Sequence, residues 1–173
     1  MIRVVVADLA HCPADAVVRP TTSRFDSLTP NLANLDRAGG AGFRASLRVA
    51  DGLGLGGAVV TAGGGELPAF VIHAVIREDP GQPPTPELVA RAWRAALQQA
   101  AEWQFAHVAA PPIGADGGTG ALPLADAAEI LVTVLGHHRA RSDFPAEVSF
   151  VVDNADDRDL FEAAVRRAAA RDS

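Results

Sequence analysis

Short apolar runs alternate along the chain with longer stretches in which apolar residues return every three or four positions. Residues 2–7 form a β-branched run that stops at Asp8, and residues 15–18 form a second. Residues 58–61 and 70–75 follow, separated by a glycine-rich turn, and residues 108–113 and 148–152 complete six. Runs this short, bounded by turn residues, suit strands buried on both faces. The clearest helix starts after Thr85, a good N-cap, with Pro86 at the first helical position. Leu88, Val89, Ala92, Trp93, Ala96, Leu97 and Ala100 then give it one apolar face. A second helix begins near Pro123 and carries Ile130, Leu131, Val134 and Leu135. A third follows Asn154, with Leu160, Phe161, Ala164 and Val165 as its stripe. Two less regular helices are expected over residues 29–38 and 42–50. Strands alternating with helices predict an α/β sandwich around a largely parallel sheet.

Length and composition narrow the chemistry. The chain of 173 residues reads as one domain over 1–173, with no linker and no internal repeat. Acidic residues number 21 against 15 basic ones, for a net charge of -6, and every cation is arginine. With no lysine, neither a Schiff base nor a Walker lysine is possible. With no tyrosine, a phenolic acid or base is excluded. The acidic balance argues against general nucleic-acid binding, which rests on neutralising phosphates. One cysteine, Cys12, makes no internal disulfide and no zinc site of the usual spacing; no metal is expected, and no cofactor is called for. The absence of a signal-peptide pattern and of an apolar run long enough for a membrane helix leads to the expectation of a cytoplasmic, membrane-free protein.

The glycines carry the most information. Gly52, Gly54 and Gly57 match a dinucleotide fingerprint as a pattern, but the residues that follow read as a strand where that fingerprint needs a helix. The segment from Ile113 to Pro123 is different, because it follows a strand pattern and precedes a helix. Four glycines there leave a backbone poor in side chains at a helix N-terminus, on the carboxyl edge of the sheet. Free N–H groups and the helix dipole favour a phosphate at such a place. His73 reads as structural, and Trp93 and Phe150 as core.

These segments, in their order and spacing, resemble the macro domain, an ADP-ribose-binding module, over nearly the whole chain. VVVADLA (residues 4–10) is similar to that family's first strand and G-D-I-T. DAVVRPTT (15–22) falls where the family has D-A-I-V-N-A-A-N. GGAVVTAGGGELPAFVIHA (56–74) is the most specific match, and IGADGGTGALP (113–123) resembles the second phosphate loop, lengthened by about two residues. The resemblance implies a three-layer α/β/α sandwich with a mixed six-stranded sheet. It also implies a partner, ADP-ribose or an ADP-ribosylated protein, with nucleic acid entering only through an ADP-ribosylated end.

Carried over residue by residue, Asp8 matches the aspartate that accepts the adenine amino group, and Leu9 offers its backbone N–H to the ring. Gly114, Ala115, Gly117, Gly118, Thr119 and Gly120 match the loop around the diphosphate and distal ribose. Arg19 and Thr22 stand where the family has asparagines near the distal ribose, and they are expected to face the ligand. Asp116 replaces a loop glycine beside that ribose. As a carboxylate it serves there as general base on water or as nucleophile at the anomeric carbon; as an ordinary turn residue it bonds its own loop. One branch of the family uses a loop aspartate together with a lysine that forms a covalent adduct, and a chain without lysine cannot do so. The resemblance therefore implies an ADP-ribosyl hydrolase, or alternatively a non-catalytic reader of ADP-ribose or a related nucleotide.

Overall fold

A computed structural model describes residues 1–48, 53–115 and 120–171. Six strands form one sheet in the order β1-β6-β5-β2-β4-β3. They are β1 (Ile2–Val6), β2 (Ala16–Thr22), β3 (Ala58–Ala62), β4 (Phe70–Arg77), β5 (His107–Ala110) and β6 (Glu147–Val152). All neighbouring pairs are parallel except β3, which runs antiparallel to β4. The helices are α1 (Pro30–Leu47), α2 (Pro86–Glu102), α3 (Leu124–Arg139) and α4 (Ala155–Arg171). This is the mixed α/β architecture that the sequence predicts. Among the described residues no helix is long and apolar enough to cross a membrane.

Strand alternation sorts the side chains into two layers. Ala16, Val18, Ile72, Ala74, Ile76, Val108, Ala110, Val148, Phe150 and Val152 point to one face and pack with α2, α3 and α4. Val17 and Val71 point to the other, under α1. A residue period of two on each strand fed by helices from both sides gives near-continuous apolar runs, which is why the strands were legible as such. Trp93 is fully buried and donates its indole N–H to the Leu131 carbonyl (3.0 Å), joining α2 to α3. Phe150 is also fully buried, between Trp93 and Phe161.

The caps explain where the helices start. Thr29 and Thr85 each accept a backbone N–H three residues on (3.2 Å in both), and each is followed by proline. The two helices expected over 29–38 and 42–50 are one element broken at Gly40, where φ is 72° and ψ is −165°. Only glycine adopts such a conformation without strain. The end of the second, Val49 and Ala50, lies outside the described residues.

The connectivity decides where a ligand sits. From β2 the chain leaves through α1 toward β3 and β4, and from β5 it leaves through α3 toward β6. These departures go to opposite sides of the sheet, so a crevice opens beyond the carboxyl ends of β5 and β2, the usual ligand position in such sheets.

The β3–β4 turn depends on Gly63. A Cβ there would lie 1.9 Å from the Pro68 carbonyl oxygen, and the Gly63 N–H donates to the Ala69 carbonyl (2.9 Å). Gly63→Ala is expected to lower stability by about 1–3 kcal/mol through overpacking, measured as a shift of the urea unfolding midpoint.

Candidate functional site

A cleft of about 630 Å³ runs along the carboxyl edge of the sheet. Its floor is made by Val6, Ala7, Asp8 and Leu9 beyond β1, by Val151, Val152 and Asp153 at the end of β6, by Pro111 and Pro112 after β5, and by Pro20 of β2. The first turn of α1 forms one wall with Thr29, Asn31, Leu32 and Asn34. Ala115, Leu124 and Asp157 complete the lining. The four strand ends β1, β6, β5 and β2 are consecutive in the sheet, so the floor spans roughly 15 Å at ~4.8 Å per strand.

Asp8 caps the short 3-10 turn Leu9–His11. One carboxylate oxygen accepts the Ala10 N–H (3.0 Å), and the other meets His11 Nδ1 (2.7 Å). His11 Nε2 reaches Glu66 on the β3–β4 turn (2.9 Å). The His11 hydrogen bond, helped by the Ala10 N–H and opposed by partial burial, holds Asp8 below the ordinary carboxylate value. Glu66 first and Asp8 second raise His11 above its ordinary value. Asp8 is thus an anchored carboxylate at the cleft floor with lone pairs to spare for a ligand N–H.

The loop after β5 closes on itself at a neck. The Ala115 N–H donates to Pro112 (2.9 Å), and the Leu122 N–H donates to Gly114 (2.8 Å). Gly114 has φ 88°, and a Cβ on it would meet Val89 at 2.6 Å, so glycine is required there. Gly120, with φ 63°, stands at the far end of the loop against Pro83. Ala115 lines the cleft, whereas Gly114 and Gly120 shape the loop. Asp116, Gly117, Gly118 and Thr119 lie outside the described residues. The helix this loop feeds, α3, starts at Pro123 with no side-chain cap. Its first N–H groups are therefore available to an acceptor from outside the helix.

Arg19 and Thr22 correct an expectation. Both are fully buried. Arg19 grips Asp36 of α1 with Nε and Nη2 (2.8 and 2.9 Å), and its guanidinium also donates to Thr21 Oγ1 (3.0 Å) and the Phe25 carbonyl (2.8 Å). Thr22 donates to the Asp26 carboxylate (2.8 Å) and accepts the Asp26 N–H (3.2 Å). Ser27 adds a hydrogen bond to Asp36. These side chains hold the loop between β2 and α1. Of strand β2, only Pro20 reaches the cleft. Asn31, Asn34 and Asp153 were not singled out from sequence. The i, i+3 spacing of the two asparagines just after a Thr-Pro helix start was the signal available for them.

His73 lies beneath this loop. It is fully buried, stacked on Phe43 and edge-on to Phe25, with Nε2 2.7 Å from Thr61 Oγ1. Burial, with a smaller contribution from the Arg19 charge, pushes its imidazole down to about 3.

Residues 32–131 match the Macro domain family. The chain belongs to the macro domain family. An uncharacterized protein of Aquifex aeolicus is 33% identical over 131 residues, which cover 76% of this chain and 78% of that protein. One of Mycobacterium tuberculosis is 33% identical over 137 residues, which cover 79% of this chain but 37% of that protein. The chain thus corresponds to little more than a third of the mycobacterial relative. Among solved structures, the Oceanobacillus iheyensis macrodomain with ADP superposes with a TM-score of 0.80 at 18% identity, covering 97% of this chain and 91% of that one. The macrodomain of Thermus aquaticus DarG superposes with a TM-score of 0.72 at 17% identity, covering 89% and 99%.

Two outcomes are expected from this packing. Asp36→Ala leaves the Arg19 cation buried without its counter-charge and should cost about 3–5 kcal/mol, read by chemical denaturation. His73 is neutral in the folded protein down to about pH 3 but protonates near 6.5 when unfolded. Between those values the unfolded state binds more protons, so the His73 contribution lowers stability as pH falls from 6.5, by at most ~1.4 kcal/mol per pH unit. A urea series from pH 7 to 4 should show a shallower fall for His73→Gln than for the native chain.

Proposed function

We propose that this macro domain binds ADP-ribose and removes it from modified proteins, reversing mono-ADP-ribosylation. The observation that supports the reading is the cleft at the carboxyl edge of the sheet, with Asp8 at one end and the β5–α3 loop and uncapped α3 N-terminus at the other. A carboxylate that accepts from an exocyclic amino group and a helix start that accepts phosphate are the two fixed points an adenine nucleotide needs. Two strand spacings along the floor, roughly 10 Å, separate β1 from β5.

In this reading the loop presents the anomeric carbon of the distal ribose to water. Asp116, or a phosphate oxygen of the substrate, takes the water proton as the new C–O bond forms. The bond from the anomeric carbon to the acceptor oxygen breaks; a hydroxyl acceptor takes back the proton collected by that base, and a carboxyl acceptor leaves as the carboxylate. The absence of lysine directs the chemistry to carboxylate and water.

A second reading, a reader without turnover, draws on one observation. Arg19 and Thr22, which replace asparagines placed by family resemblance near the distal ribose, are spent inside the β2–α1 loop.

Titrating ADP-ribose in a thermal melt tests binding, since ligand at ~100 times its Kd adds ~2.7 kcal/mol of stability. Incubation with proteins carrying ADP-ribose on acidic and on hydroxyl side chains tests turnover. Release is expected from the native chain and not from Asp116→Ala, with the affinity of the variant held within a few-fold. Binding without release on either linkage would establish the reader.

A further inference from the structure

We propose that Asp153 reads the ribose attached to the base, so that the cleft selects nucleotides with free 2′ and 3′ hydroxyls and rejects 2′-phosphorylated ones. The proposal rests on the adenine nucleotide reading of the same cleft and adds to it the sugar chemistry.

The order of the strand ends is the first argument. β6 lies between β1 and β5, and its register pairs Val152 with Val6. Asp153 is the next residue, level with Ala7 and one short of Asp8 in chain position. With the base anchored at the end of β1 and the phosphates at the loop after β5, the sugar between them crosses the end of β6. Base, sugar and phosphate then follow β1, β6 and β5 in sequence.

The second argument is how the carboxylate is held. Asn31 Nδ2, from the opposite wall, donates to both Asp153 oxygens (3.2 Å each). Both residues line the cleft. One amide N–H2 group satisfies only part of a carboxylate with about four lone-pair sites, so the oriented group retains acceptor capacity for a vicinal diol. A carboxylate at a strand end reads a ribose diol in the same way in other open α/β sheets.

Elimination of the neighbouring carboxylates is the third argument. Asp157 is committed to the start of α4, where its carboxylate accepts from Asn154 Nδ2 and its N–H donates to Asn154 Oδ1 (2.9 Å each). Asp8 already serves Ala10 and His11. Asp153 makes neither kind of bond. The described lining carries Asp8, Asp153 and Asp157 and no arginine. A 2′-phosphate would add about two negative charges beside Asp153 with no cation to meet them.

Equilibrium binding of ADP, 2′-deoxy-ADP, 3′-deoxy-ADP and 2′-phospho-ADP to the native chain, Asp153→Ala and Asp153→Asn separates the possibilities. The native chain is expected to bind ADP about tenfold more tightly than at least one deoxy analogue, the scale of a hydrogen bond to a charged group. It is expected to bind 2′-phospho-ADP more weakly still. In Asp153→Ala the preference for ADP should fall to about twofold or less, and Asp153→Asn should regain part of the 2′-phospho-ADP binding. Equal affinity of the native chain for ADP and both deoxy analogues overturns the ribose assignment while leaving the nucleotide reading intact. A preference that persists undiminished in Asp153→Ala does the same. Failure of every nucleotide, including ADP-ribose at millimolar concentration, overturns both.

Discussion

A fully buried guanidinium sets the shape of the cleft. Arg19 projects from the middle of the sheet into the fully buried space under α1, where an unpaired charge is not tolerated. Its five N–H groups point in a fixed fork, so its partners must come to it. Asp36 approaches from α1, the Phe25 carbonyl from the loop, and the Thr21 hydroxyl from the same strand. Satisfying that fork fixes the path of residues 22–29, including the positive φ of Phe25 (62°). That path in turn fixes where α1 begins. Thr29, Asn31 and Asn34 face the cleft because Asp36, less than two turns on, is held against Arg19.

The same constraint redistributes charge. An arginine on β2 in a sheet whose carboxyl edge binds anions would be a natural phosphate ligand. Here it is consumed in the core, and the cleft floor and walls carry carboxylates and amides in its place. In the proposed reading, attraction for phosphate then comes from backbone N–H groups such as those at the start of α3. The side proposed for base and sugar carries Asp8 and Asp153, carboxylates that accept hydrogen bonds and repel phosphate. In the proposed reading, a cleft polarised in this way orients an anionic nucleotide. The net charge of -6 therefore poses no conflict with an anionic ligand, because the binding field is local and built from dipoles.

Much of this was legible in the chain. The six strands came from short β-branched runs, the start of α2 from a Thr-Pro pair, and the loop at Gly114 from a glycine cluster between a strand and a helix. Each of those signals is local: a propensity, a cap, a steric need. The helix break at Gly40 was also visible, as a gap between two weak periodicities. What the sequence withheld was the direction of side chains at the end of β2. Arg19 and Thr22 lie on one strand, β2, at positions where the family resemblance implies ligand contacts, and alternation alone does not say whether a polar group there turns to ligand or inward. The answer depends on Asp36 and Asp26, which are 17 and 4 residues away and bond by tertiary geometry. Asp153 escaped for a similar reason: its weight comes from Asn31, 122 residues distant.

The Asp8–His11–Glu66 chain ties the far end of the cleft to the β3–β4 turn, so the two ends of the site rest on different supports. At the base end, exposed groups share protons across short hydrogen bonds, and the strength of that link varies with pH as His11 titrates above its ordinary value. At the β2–α1 wall, the support is a fully buried arginine held by the Asp36 carboxylate. The cleft is accordingly adjustable where it would meet the base and fixed where α1 forms its wall. That division suits a site in which the nucleotide is a handle and the attached group is what must be held still.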